Sequence, residues 1–216
     1  MGPIIVPTIL TNSTEQYKQI VAVYQAFAKR VQVDIADGTF APNKTIPVDN
    51  VWWPQEWETD IHMMVVRPSE HMPVLLKLKP NLVIFHAETG ENLLPMFDQL
   101  HNAGIKAGVA LMRPTYPGSY KEFIEAADHV QVFAGEIGVQ GSQADMLQTE
   151  KIKLIKDINP NCEIGWDGGA NMKTTRAIAK AGADVINVGS ALATAQDPKA
   201  MFDALSAEPD KRGVVI

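Results

Sequence analysis

Val31-Gln32-Val33-Asp34-Ile35-Ala36-Asp37-Gly38-Thr39-Phe40-Ala41-Pro42-Asn43 is the stretch from which the fold can be read. Val31, Val33 and Ile35 alternate with Gln32, Asp34 and Ala36, the period of a strand with one aliphatic face and one polar face. Asp37-Gly38 signals a turn at its end, and Pro42-Asn43 keeps the following loop from turning helical at once. A carboxylate on the inward face of a strand is costly unless something there uses it. Asp34 is therefore the first candidate for chemistry, and the rest of the chain reads as a scaffold around that strand end.

Working outward, the strand pattern recurs at residues 4–10, 60–66, 82–86, 107–111, 129–133, 163–166 and 184–188. Between these runs lie helical patterns. One begins at Ser13, with Gln16 three residues on as a capping box, and runs to about Lys29. Others occupy residues 91–103, 120–127, 151–158, 174–181 and 198–206, and Pro68 or Ser69 opens a further one. Gly104 and Gly182 stop two of these helices at equivalent places. Trp52, Trp53 and Trp57 crowd the long loop after the second strand and suit loop packing or a subunit contact. Eight strands, each followed by a helix or helix-like segment, predict a (β/α)8 TIM barrel, a single domain over residues 1–216. A doubly wound open sheet would place a glycine-rich fingerprint after its first strand, where this chain has Thr11-Asn12-Ser13.

Composition narrows the class. The 216 residues carry a formal net charge of −6, which offers no basic field to nucleic acid. No apolar run approaches the roughly 18 residues that span a membrane, and the start at Met1-Gly2-Pro3 lacks a charged signal-peptide region. The one cysteine, Cys162, excludes an internal disulfide framework and a cysteine metal cluster. These features predict a cytoplasmic protein with a small-molecule partner and neither nucleic acid nor membrane contacts. A homo-oligomer is permitted but not required.

In a barrel the active site lies where the strands end. Thr8, Gln32, Asp34, Asp60, His62, His86, Met112, Arg113 and Asp167 are the strand-end candidates, with Met64 on the same inner face as His62. The late loops differ in kind: Gly138, Gly141, Gly168, Gly169, Gly189 and Ser190 offer bare backbone and one hydroxyl, which suits a phosphate. Asp34 and Asp167 come from strands two and seven and can face each other across the mouth. Opposed acids can remove a proton from one face of a carbon and return one to the other. Such a carbon must lie beside a carbonyl, and the resulting enediolate needs positive charge, most simply a metal ion with His62 as an imidazole ligand.

These residues resemble the ribulose-phosphate 3-epimerase family over nearly the whole chain. Pro7-Thr8-Ile9-Leu10 is similar to the family's P-S-I-L opening, and residues 33–43 to its V-D-x-M-D-G-x-F-x-P-N block. Residues 60–65 resemble its D-x-H-L-M-V strand, and Asp167-Gly168-Gly169 and Gly189-Ser190 its late D-G-G and G-S elements. The resemblance implies a ribulose-phosphate-binding barrel that interconverts ribulose 5-phosphate and xylulose 5-phosphate through a metal-stabilised enediolate. Asp34 and Asp167 would be its acid/base pair. It implies one divalent ion, zinc, iron, manganese or cobalt, held by His62, Asp34, Asp167 and the residue at position 32. Substrate and phosphate contacts fall on Thr8, Met64, Gly138, Gly141, Gly168, Gly169, Gly189 and Ser190.

The chain departs from the family pattern at several of these places. Gln32 replaces a ligating histidine, and an amide oxygen is a weaker ligand for zinc-like ions than imidazole. Ala36 stands where the family has a methionine, and Phe133 stands near another. The N-P-G-F-G-G-Q loop is here residues 136–142, where Glu136 adds a negative charge and two glycines are kept. Arg113 replaces the asparagine of the family's L-N-P and offers positive charge to an anionic substrate. Three other readings stay open: an epimerase for another ketose phosphate, a decarboxylase or synthase of the orotidine-phosphate type, and a non-catalytic sugar-phosphate-binding member. The orotidine type carries D-x-K-x-x-D, and the lysine is missing between Asp34 and Asp37.

Overall fold

The computed structural model describes residues 2–137 and 141–209. Its core is a closed parallel barrel whose strands run in sequence order, with the eighth returning to pair with the first. The strands are β1 (Ile4–Ile9), β2 (Arg30–Ala36), β3 (Glu58–Met64), β4 (Leu82–His86), β5 (Lys106–Leu111), β6 (His129–Phe133), β7 (Glu163–Asp167) and β8 (Val185–Val188). The helices are α1 (Thr14–Tyr24), α2 (Met72–Leu78), α3 (Leu94–Asn102), α4 (Lys121–Ala126), α5 (Glu150–Ile158), α6 (Thr175–Ala181), α7 (Ser190–Ala193) and α8 (Pro198–Ala207). No described helix is long and apolar enough to cross a membrane.

The alternation in β2 sorts its residues as the sequence predicts. Val31, Val33 and Ile35 join the large core between barrel and helices, whereas Gln32 and Asp34 share the opposite, inner face. Each helix closes its side of that core. In α3, Met96, Phe97 and Leu100 are buried at helical spacing, each worth about 1.5–3 kcal/mol when withdrawn from water. Inside the barrel, Leu82, Ile84 and Ala110 form a small separate cluster, and Ala36, Ala41 and Met64 form another near the mouth.

The units are less regular than one helix per strand. No α-helix follows β2; the loop after it holds a single 3-10 turn, Val48–Asn50. Pro42, Pro47 and Pro54 remove backbone donors there, and Ile46, Val48, Val51 and Trp57 bury themselves where a helix would pack. Trp52 lies at the surface of this loop, edge-on to Tyr17, whose hydroxyl donates to the Trp52 carbonyl at 2.7 Å. Helix α1 ends at Tyr24 rather than near Lys29, and tighter i→i−3 bonds from the Ala26 N–H to the Val23 carbonyl and from the Phe27 N–H to the Tyr24 carbonyl turn the chain toward β2. Ser13 caps α1 by accepting from the Gln16 N–H, but the Gln16 side chain bonds Thr11, so the capping box is half made. Ser190, expected in an exit loop, is the first residue of the short α7.

Asp60 also departs from expectation. Strand β3 begins at Glu58, so Asp60 lies low in the barrel rather than at its mouth. There Arg30 Nε donates to Asp60 Oδ2 at 2.7 Å and its two terminal nitrogens reach Glu163 at 2.9 and 2.8 Å. His129 Nδ1 lies 2.8 Å from the same Glu163, and Asn81 bonds Asp60 at 3.0 Å. Burial works against the charge on Glu163, but the hydrogen bonds and charges of His129 and Arg30 hold its carboxyl well below the usual range. Asp60 is thus part of a charged barrel floor.

Candidate active site

At the opposite end, β2, β3 and β7 bring three of the expected residues together. Asp34 pairs in register with His62 across the β2–β3 ladder, so both side chains leave on the inner face at one level. Asp167 ends β7. His62 Nδ1 lies 3.1 Å from Asp34 Oδ1 and 3.6 Å from Asp167 Oδ2. One donor atom from each residue falls within 4.8 Å of the others, a nitrogen and two oxygens converging as a divalent ion requires. This donor set fits a metal.

Gln32 belongs to the group by position but turns the other end of its amide inward. Its Nε2 donates to Asp34 Oδ1 at 2.8 Å and to Asp167 Oδ2 at 2.7 Å, while its Oε1 accepts from Asn187 Nδ2 at 2.8 Å. Asn187 also donates to Gln131 Oε1 at 3.0 Å, and Gln131 Nε2 donates to Asp167 Oδ2 at 3.0 Å. An ionised carboxylate only accepts, so the two acids set the direction of every amide in this chain. In this arrangement Gln32 supplies hydrogens to the acids and no oxygen to a metal.

Burial, and then the like charge of Asp34, push the Asp167 carboxyl up to about 6. Burial disfavours charge on His62, but its hydrogen bond to Asp34 and the charges of both acids raise its pKa above the ordinary value. Behind His62, His86 is buried between Phe40 and Phe133, with ring centroids at 4.9 and 5.6 Å. Burial lowers its pKa to about 4, so the ring is neutral.

The cavity over this group is lined by Thr8, Met64, Gly141, Gly168, Gly169, Gly189 and Ser190, together with Phe133, Glu136 and Ser142. Gly138 lies outside the described residues. The late loops interlock through bare backbone. A Cβ on Gly168, at φ +108°, would come 2.1 Å from Gly135 N, and one on Gly169, at φ +68°, 2.1 Å from Ala144 N. A Cβ on Gly189 would meet Thr8 Oγ1 at 2.7 Å. Arg113 does not line the cavity; it pairs with Asp145 at 3.4 Å and is half-exposed. Sequence reading missed Gln131 and Asn187. Both carried the signal that exposed Asp34, a polar residue between aliphatic neighbours in a strand, but amides were passed over in favour of acids and histidines.

Fold and site together define a (β/α)8-barrel enzyme with opposed acids at the mouth. Among solved structures, 3-hexulose-6-phosphate synthase from Salmonella typhimurium superposes with a TM-score of 0.73 at 15% identity, covering 97% of this chain and 98% of that one. Orotidine 5'-phosphate decarboxylase from Pyrococcus horikoshii superposes with a TM-score of 0.63 at 18% identity, covering 97% and 100%. At these identities the likeness establishes the barrel alone. Sequence comparison goes further. The model of the ribulose-phosphate 3 epimerase family matches residues 4–193. The ribulose-phosphate 3-epimerase of Mycobacterium leprae is 30% identical over 212 residues, covering 95% of this chain and 94% of its own. That of Schizosaccharomyces pombe is 31% identical over 182 residues, covering 81% and 79%. The chain belongs to the ribulose-phosphate 3-epimerase family.

Proposed function

We propose that the protein is an isomerase that interconverts D-ribulose 5-phosphate and D-xylulose 5-phosphate by inverting C3. The observation that carries this reading is that Asp34 on β2 and Asp167 on β7, strands separated by β1 and β8, converge in one mouth, joined through the single amide nitrogen of Gln32. Asp34 Oδ1 and Asp167 Oδ2 face the His62 group, which leaves Asp34 Oδ2 and Asp167 Oδ1 to handle protons. One acid removes the C3 proton from one face, the electron pair moves onto the C2 carbonyl oxygen, and the other acid returns a proton to the opposite face. The reverse reaction exchanges their roles. A raised pKa suits Asp167 to hold and release a proton near neutrality.

Asp34, His62 and Asp167 would hold one divalent ion, zinc, iron, manganese or cobalt, which when bound supplies a Lewis acid for negative charge developing on the substrate oxygens. The sugar phosphate enters with Thr8 and Met64 beside the carbon chain. Its phosphate lies against Gly141, Gly168, Gly169 and Gly189, where the backbone approaches without side chains, and beside the Ser190 hydroxyl.

The test is hydrogen exchange. In deuterated water, ribulose 5-phosphate should gain deuterium at C3 and yield xylulose 5-phosphate, read by NMR. Asp34→Asn and Asp167→Asn should each lower the rate by about 10²–10⁴-fold with the fold intact. A variant that keeps full activity removes its aspartate from proton transfer. No exchange by folded wild-type protein with any of the four metals would overturn the reading for this substrate.

A further inference from the structure

His62 is held from behind by groups that have no place in the proton transfer. Its Nε2 lies 2.9 Å from His86 Nε2, and one hydrogen must lie between these two nitrogens. On the far side of His86, Nδ1 lies 3.3 Å from Glu88 Oε2. The other oxygen, Glu88 Oε1, accepts from the Met112 backbone N–H at 2.8 Å and from the Thr115 hydroxyl. Every partner of Glu88 is thus placed as a donor to a carboxylate that only accepts.

The hydrogen positions follow in order. Glu88 requires a hydrogen on His86 Nδ1, and a ring fully buried between Phe40 and Phe133 carries a second hydrogen only at a heavy desolvation cost, so His86 presents a bare Nε2. That bare nitrogen requires a hydrogen on His62 Nε2. His62 Nδ1 then faces Asp34 Oδ1 and Asp167 Oδ2, 3.1 and 3.6 Å away, donating to Asp34 in the metal-free site and giving up that proton to a cation lying between them. We propose that Glu88 is a positioning residue which, acting through His86, sets the His62 ring so that Nδ1 is the ligating nitrogen. The inference rests on the metal reading above. Outer groups of this kind orient a ligating histidine and fix its tautomer.

Glu88→Gln tests this sharply, because the Met112 N–H needs an oxygen in the place of Oε1. The amide nitrogen must then face His86 Nδ1, which reverses the hydrogen between the two rings and leaves Nδ1 carrying the one hydrogen His62 has, so that a cation would have to take it from a neutral ring. In metal-free protein, ¹⁵N NMR should show His86 protonated at Nδ1 in the wild type and at Nε2 in Glu88→Gln. Calorimetric titration with Zn²⁺ should show affinity reduced about 10–100-fold. Glu88→Ala, which dictates neither tautomer, should lose less than Glu88→Gln, an order that general damage to the site would not produce.

Wild-type His86 protonated at Nε2 would overturn the proposal, as would unchanged tautomers or unchanged Zn²⁺ affinity in Glu88→Gln. Reversed tautomers with no Zn²⁺ binding by either protein would support the relay from Glu88 and overturn the metal reading alone.

Discussion

Gln32 carries two hydrogens on one nitrogen, and each is given to a different acid. Because Asn187 holds the amide oxygen, turning Gln32 to ligate a metal would break one bond to Asn187 and two to carboxylates. Gln32→His replaces that barrier with a nitrogen ligand. We expect its Zn²⁺ dissociation constant to fall about tenfold or more, roughly 1.4 kcal/mol, measured calorimetrically against the wild type. An unchanged constant would place residue 32 outside the ligand group. At this scale the sequence disclosed Asp34 and His62, as ionisable groups between apolar strand neighbours, and Asp167, as an acid at a strand end before Gly168-Gly169. The direction of the Gln32 amide was not legible, because Asn187 sits 155 residues away and its bond exists only once β8 closes the ring.

Strand β7 shows how much one element decides. Its inward positions run from Glu163 at the floor through Gly165 to Asp167 at the mouth. Gly165 has no room for a side chain, since a Cβ there would lie 2.3 Å from His129 Nε2. Glu163 ties the floor together, and its depressed pKa gives the sign of a pH effect. An acid with a lowered folded pKa adds stability above its unfolded pKa, near 4.3, and loses it as pH falls through the folded value. Glu163→Gln should therefore cost about 3 kcal/mol at pH 7, with the deficit shrinking steadily below about pH 4. Urea unfolding at a series of pH values measures it, and a deficit independent of pH would remove the carboxylate's charge from the account. Strands were legible at this scale because period-2 alternation is strong; β2, β4 and β6 have the predicted ends. The start of β3 was not, and Asp60 was grouped with His62 at the mouth because the two share an inner face, although it lies two residues nearer the floor.

Across the whole molecule, polar groups are stacked inside the barrel while the apolar core lies outside it. The floor is tied by Arg30 between Asp60 and Glu163, and the mouth by amides between Asp34 and Asp167. Among the described residues, only the mouth group converges enough ligand atoms to gain from a cation. Zn²⁺ at 100 times its dissociation constant should stabilise the protein by about 2.7 kcal/mol, a rise of roughly 5–10 °C in Tm for a chain of this size. Differential scanning calorimetry with Zn²⁺ and with a chelator checks it; equal Tm values would deny the ion a place in the folded site. The fold class was legible at this scale from eight repeated strands, and so was the long loop after β2, where the structure has no α-helix.

The interlocked backbone at Gly135, Gly168, Gly169 and Ala144 bears on how such a protein can diverge. A wall of main-chain atoms with no space for a Cβ offers selection nothing to vary. The glycine-walled end of the cavity is in effect frozen, and drift toward a longer or shorter sugar is left to side chains that face the same space, among them Thr8, Ala36, Met64 and Phe133. A library aimed at new substrates belongs at those four positions.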